Sequence, residues 1–256
     1  MSGVRHGRRL STIALGAPAS PASGVAVRAL DIVVSATLLA LCLPLCAVIA
    51  LAIKAESPGP VLHRSWRTGF RSSPLGVLKF RKMHDGAVGD PLTVTDDPRL
   101  TRVGAFLART HLDELPQLWN VLTGQMSLVG PRPEDTRFTR LHPAAYGEIL
   151  TVRPGLTGWT QLVWVDECAL LSPATDRVRL YVDELLPRKI ETDLAYARHR
   201  RFGSDLKLLL WTPLVLLLGF GVTLDADRRE LRLRRGRAPV RLRAASELDA
   251  AREATW

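Results

Sequence analysis

Two adjacent acids, Asp113 and Glu114, stand just ahead of Leu115, Leu118, Trp119, Val121 and Leu122. A carboxylate is nucleophilic toward phosphorus at neutral pH without a base, and a second one can hold a divalent cation that offsets phosphate charge. Further on, Arg132 is fixed between Pro131 and Pro133. A guanidinium offers a planar donor fork that matches a phosphate, and the flanking prolines stiffen the backbone carrying it. These residue types together suggest phosphoryl transfer. The acid pair alone is a weak sign, because the helix dipole favours acids at any helix start. The apolar residues after the pair recur at helical spacing, which predicts an amphipathic helix with the acids near its start and Gly124 at its end.

The whole string from 97 to 134, DPRLTRVGAFLARTHLDELPQLWNVLTGQMSLVGPRPE, resembles the core signature of the bacterial sugar transferases, the monotopic phosphoglycosyl transferases. The resemblance extends from about Arg28 to about Leu210. Members of this family move a phosphosugar from a nucleotide sugar to a polyprenyl phosphate. The resemblance implies that Asp113 attacks the β-phosphate of a UDP-sugar, releases UMP and carries the phosphosugar as a covalent aspartyl intermediate. Undecaprenyl phosphate or a similar lipid phosphate would then take the sugar phosphate, the first step of surface polysaccharide or glycoconjugate assembly. By the same resemblance Glu114 helps hold Mg²⁺ and Arg132 steadies a phosphate. Residues 57–83 resemble the family pattern SPGP…R…G…KFR-M, with Lys79, Phe80, Arg81 and Met83 in register, so Lys79 is a further phosphate-binding candidate. Arg153–Gly158 resembles an RPGITG segment whose turn and arginine would bind nucleotide or phosphate, and Gln161 lies at a matching glutamine. Ala108 stands where many members have a basic residue, and His111 replaces a common serine.

The elements that must position these groups follow from composition and periodicity. At 256 residues and a net charge of +10, the chain can bury one core and favours anionic partners: phosphate-rich substrates and anionic membrane lipids. No nucleic-acid module motif is present, so nucleic acid is not the expected partner. Cys42 and Cys46 sit one helical turn apart in an apolar run and Cys168 stands alone, with no metal-ligand spacing and no disulfide framework. Residues 1–24 and 225–256 read as basic, disordered tails. Residues 25–55 hold a membrane helix, and 56–224 form the catalytic domain.

Residues 32–53 carry no charge and make about 33 Å of helix, enough to cross a bilayer core. Pro44 lies near the middle, and both flanks are basic. Charge bias would keep both flanks in the cytoplasm, so the expectation is a re-entrant helix broken at Pro44. Family members break theirs at a Ser-Pro pair, whereas Leu43 stands in the serine position here. Residues 61–80 predict a β-hairpin with Arg64, Arg67 and Arg71 on a solvated or lipid-facing surface. Residues 84–98 read as a surface loop, 134–150 as a helix, and Asp166-Glu167 as a helix start. Residues 206–224 are apolar but short and interrupted by Pro213, which predicts an interfacial helix with Trp211 at headgroup level. The expected fold class is α+β and helix-dominated, seated on the cytoplasmic face of a bacterial inner membrane. The competing reading is a catalytically silent membrane adaptor.

Overall fold

The structure, a computed structural model, describes residues 9–14, 22–225 and 230–236. It begins with β1 (Arg9–Ala14) and a long helix α1 (Ala22–Glu56). A hairpin follows, β2 (Leu62–Thr68) and β3 (Pro74–Phe80), then α2 (Arg102–Thr110), α3 (Gln117–Leu122) and β4 (Ser127–Val129). Helices α4 (Thr136–Thr139) and α5 (Pro143–Ile149) lead to β5 (Gly155–Thr157), α6 (Trp159–Val163), α7 (Glu167–Leu171) and α8 (Arg177–Leu180). A π-helical turn, Tyr181–Leu185, joins α8 to α9 (Leu186–His199). The described chain closes with α10 (Phe202–Leu218), β6 (Gly221–Asp225) and β7 (Glu230–Arg234). Helix dominates, and the sheets are small: β2–β3 antiparallel, β4–β5 parallel, and β1–β7–β6.

Both ends of α1 are fastened to the rest of the chain, while its middle is bare. Near its start, Arg28 donates to the carbonyls of Val121 and Leu122 at 2.7 Å each. One turn later the buried Asp31 accepts from Ser127 Oγ and from the Leu128 amide at 2.8 Å. At the other end, Ile49 and Ile53 bury against Phe80 and Leu107. The Glu56 carboxylate accepts the amides of Arg102 (2.7 Å) and Val103 (2.9 Å), so the last residue of α1 caps the first turn of α2. Between these anchors Leu38, Leu41, Leu43, Leu45, Val48 and Leu51 are exposed. Among the described residues α1 contains the one helix long and apolar enough to cross a membrane.

Helical backbone runs through Pro44 without a gap, where the sequence reading expected a break. Pro44 removes the amide that would bond the Ala40 carbonyl, and prolines inside long helices bend them more often than they end them.

Three apolar clusters hold the domain. The largest joins β3, α3, β4, α6 and α10 through Leu75, Val77, Leu118, Val121, Leu128 and Trp159, with Leu231 and Leu233 of β7 completing it. Glu230-Leu231-Arg232-Leu233-Arg234 alternates polar and apolar, which is why part of a presumed tail is a strand with its leucines inward. Arg9–Ala14 likewise pairs with it as β1. The remainder of both tails, and the disorder expected there, lies outside the described residues.

Three other expectations are corrected, and the expected surface loop at 84–98 is found. Trp211 is buried in this large cluster, while Leu206, Leu210, Leu217 and Leu218 form the exposed apolar side of α10. The 134–150 stretch is two short helices, because Pro143 starts the second. The 84–98 loop is stitched down: Leu92 and Val94 enter a second core cluster, and Arg99 holds Asp97 at 2.6 Å and the Asp90 carbonyl at 2.6 Å. Arg67 is not merely solvated, since it pairs with Asp135 at 3.4 Å and lies 4.0 Å from Glu134.

Candidate active site

The acids do not sit on the helix that follows them. Helix α2 ends at His111, whose φ of 57° turns the chain out of the helix. Leu112–Glu114 then makes one 3₁₀ turn, and α3 restarts after Pro116, which has no amide to carry the helix through. Gly124, at φ +81°, follows the end of α3 as expected. Leu112 and Leu115 flank the acids and pack on the cluster built by Ile49, Ile53, Phe80 and Leu107. The turn carrying the acids therefore shares an apolar cluster with the end of the apolar helix.

Charge converges on this turn. Lys79 Nζ donates to Glu114 Oε1 at 2.7 Å. Lys82 Nζ lies 3.7 Å from Asp113 Oδ2, and the Asp113 side chain is 4% exposed. Burial pushes the Glu114 carboxyl up, and the charges of Lys79 and Arg132 more than reverse this, to about 2. Burial pulls the Lys79 ammonium down, and Glu114 and Asp113 oppose that. Glu114 is therefore held charged at neutral pH.

Arg132 is placed by its backbone. The Pro131 carbonyl accepts the Gly155 amide at 2.9 Å, and Gly130 N donates to Thr157 at 2.9 Å, so the Pro-Arg-Pro segment is tied to the Arg153–Gly158 turn through the β4–β5 pair. The approach is too close for a side chain: a Cβ on Gly155 would lie 2.0 Å from Gly130 N. The Arg132 amide also bonds the buried Asp193, which accepts Thr160 Oγ1 at 2.5 Å. Burial raises the Asp193 carboxyl to about 7, against the opposing pull of Thr160 and Lys189.

Behind Arg132 lies a second charged group that the sequence reading missed. Lys189, 2% exposed, donates to Glu134 at 3.2 Å, to Glu167 at 3.1 Å and to Tyr181 Oη at 2.7 Å. Tyr181, in the π turn, donates to Glu134 at 2.5 Å. Glu167 thus also serves as a half-buried partner of Lys189, besides starting a helix. The guanidinium of Arg132 feels Glu114 on one side and Glu167 and Glu134 on the other.

The structure brings Asp113, Glu114, Lys79 and Arg132 together and adds Lys82. No contact joins Arg153 or Gln161 to the acids among the described residues. Arg153 is at the far end of α3, with Nε on the Gly124 carbonyl at 3.0 Å and its guanidinium over Phe70. Gln161 donates to the Gly155 carbonyl at 3.1 Å, supporting the turn from below. Pro133 leads into the buried Glu134. Arg81 latches the Ser57 and Pro58 carbonyls and takes no part.

No group of three or more metal-ligating side chains occurs among the described residues. Glu114 nevertheless keeps one carboxylate oxygen beyond the one on Lys79. That donor set fits Mg²⁺, which is held by one or two carboxylates with water and substrate phosphates completing its shell.

A family model described as bacterial sugar transferase matches residues 22–219, and the chain belongs to that family. Among curated relatives, it is 41% identical over 209 residues to the UDP-glucose:undecaprenyl-phosphate glucose-1-phosphate transferase of Caulobacter vibrioides, covering 78% of this chain and 74% of the relative. It is 40% identical over 208 residues to the enzyme of the same name in Escherichia coli, covering 75% of this chain but 41% of that longer protein. The exopolysaccharide production protein PSS of Rhizobium leguminosarum is 43% identical over 195 residues, covering 72% of this chain and 92% of its own length.

Proposed function

We propose that the chain transfers a sugar-1-phosphate from a UDP-sugar to undecaprenyl phosphate and releases UMP. One observation carries this reading: the buried carboxylate of Asp113 and a charged glutamate share one turn, three cations converge on it, and its flanking leucines pack in the cluster that holds the end of the apolar helix. An Asp113 oxygen attacks the β-phosphorus, the bond to the bridging oxygen breaks, and UMP leaves with the electron pair. The lipid phosphate then attacks the same phosphorus, and Asp113 leaves as a carboxylate. Arg132 and Lys79 hold phosphate oxygens and orient the diphosphate. Arg153, with Gln161 beneath its turn, would face the nucleotide end of the donor. Mg²⁺ held by Glu114 would supply further neutralisation of diphosphate charge.

Membrane seating follows the same logic. A helix crossing the bilayer would put Arg28 and Glu56 on opposite sides, yet both bond to one body of chain. We read α1 as a continuous helix that enters and leaves by one leaflet, with the bare side of α10 lying in the interface. Both basic flanks then stay on the cytoplasmic side of the inner membrane, against anionic lipid.

The test is UMP release by nanodisc-embedded protein from a panel of UDP-sugars, with Mg²⁺ and undecaprenyl phosphate. UDP-glucose is the first donor to try, because two relatives carry it in their names. Release from one preferred donor, lost on chelation and in Asp113→Asn, is the expected result. No release from any donor by folded, membrane-bound protein would favour the adaptor.

A further inference from the structure

Lys82 falls in the open position of the KFR-M pattern, and the mechanism above does not use it. Among the described residues it is the one cation within ion-pair distance of Asp113. The two lysines differ in how they are held. Lys79 is in full hydrogen-bond contact with Glu114 at 2.7 Å, whereas Lys82 stands 3.7 Å from Asp113 Oδ2, beyond hydrogen-bond length. Attraction without a formed bond leaves the ammonium able to shift.

Its base cannot shift. The Lys82 carbonyl accepts the Thr101 amide at 3.1 Å, and Met83 bridges Leu100. Helix α2 lies directly over that carbonyl at Gly104, where a Cβ would come within 1.8 Å of the oxygen. The other end of the same helix leads through His111 into the acid turn, so one rigid element sets both Lys82 and Asp113. The Lys82 side chain is 25% exposed and that of Asp113 is 4%, so an anion arriving from solvent at Asp113 meets the ammonium first.

We propose that Lys82 is a further catalytic residue, which moves from the Asp113 carboxylate to the phosphoryl oxygens as the aspartyl intermediate forms. The inference rests on Asp113 being the nucleophile. When the Asp113 oxygen bonds to the β-phosphorus, the carboxylate loses its charge. The non-bridging oxygens of the new acyl phosphate, esterified by the sugar, carry the negative charge that remains. A cation fixed on the carboxylate would be left unpaired in a half-buried site; one that swings a short way keeps a partner throughout. When the lipid phosphate displaces Asp113, the carboxylate charge returns and Lys82 goes back to it. No proton moves in either step.

The experiment is single-turnover UMP release from UDP-glucose, or the preferred donor of the panel, without lipid acceptor. It uses the full chain in nanodiscs as wild type, Lys82→Met, Lys82→Arg and Asp113→Asn. Wild type should release one burst of UMP. Lys82→Met should slow the burst about 10- to 100-fold at saturating donor, the range of one charge-assisted contact, and Lys82→Arg should recover most of it. Unchanged circular dichroism and membrane retention would show that the variants fold. A wild-type burst that Lys82→Met leaves at its original rate, or alters only in the donor concentration needed, overturns the role of Lys82 and leaves Asp113 untouched. A missing burst in wild type, or one persisting in Asp113→Asn, removes the nucleophile and this inference with it.

Discussion

Two charged clusters lie on opposite sides of Arg132, built from the same residue types and put to different uses. Behind it, Lys189 is saturated: two carboxylates and a phenol share one ammonium, all half-buried or buried. In front, Lys79 and Lys82 take one carboxylate each, and Arg132 has no ion pair of its own within 4.0 Å among the described residues. The rear cluster closes on itself and fixes structure. The front cluster carries three cations against two acids, an excess of one positive charge that favours an anion. A charged residue is read as chemistry where its hydrogen-bonding capacity is left over, and as architecture where it is used up.

The contrast can be broken experimentally. The largest effect expected is in front: Asp113→Asn should cost more than about 10³-fold in UMP release, roughly 4 kcal/mol of barrier, with an unchanged melting transition. Next is the rear. Lys189→Met strands the buried Glu134 and the half-buried Glu167 and should destabilise the fold by about 3 kcal/mol, read as a lower Tm. A Lys189→Met protein that melts like wild type would erase the distinction.

The pH dependence sharpens it further. Asp193 is raised to about 7 in the fold from an ordinary 3.8. Its contribution to stability is fully present below pH 3.8 and is lost as pH rises toward 7, on the order of 3–4 kcal/mol. Wild-type Tm should therefore fall between pH 4 and 7 more steeply than that of Asp193→Asn; parallel slopes would count against a protonated Asp193. The smallest effect belongs to the exposed pair Arg198–Glu148, where Arg198→Ala should move neither Tm nor UMP release measurably.

Much of the front was legible in the sequence. Asp113, Glu114, Lys79 and Arg132 lie in unbroken strings whose order and spacing mark them as candidates, and the fold brings them together. Lys82 was passed over because it occupies an unassigned position between two matched ones. The rear could not be read, because Glu134, Glu167, Tyr181 and Lys189 are far apart in the chain and each looks like an ordinary surface residue. The helical spacing after the acids was real, but Pro116 moved the helix start beyond them. The β7 strand was hidden by composition: five residues rich in charge looked like tail until their alternation was weighed.

Glu56 has one more consequence. It ends the apolar helix and, by gripping the first amides of α2, begins the segment that finishes at Asp113. In the proposed mechanism the height of Asp113 above the lipid is thus a length set by two abutting helices. A lipid phosphate confined to a plane then need only search in two dimensions, at a level the protein has already chosen. Lengthening α2 by one turn, about 5 Å, would carry the acid turn away from Lys82 as well as out of that plane.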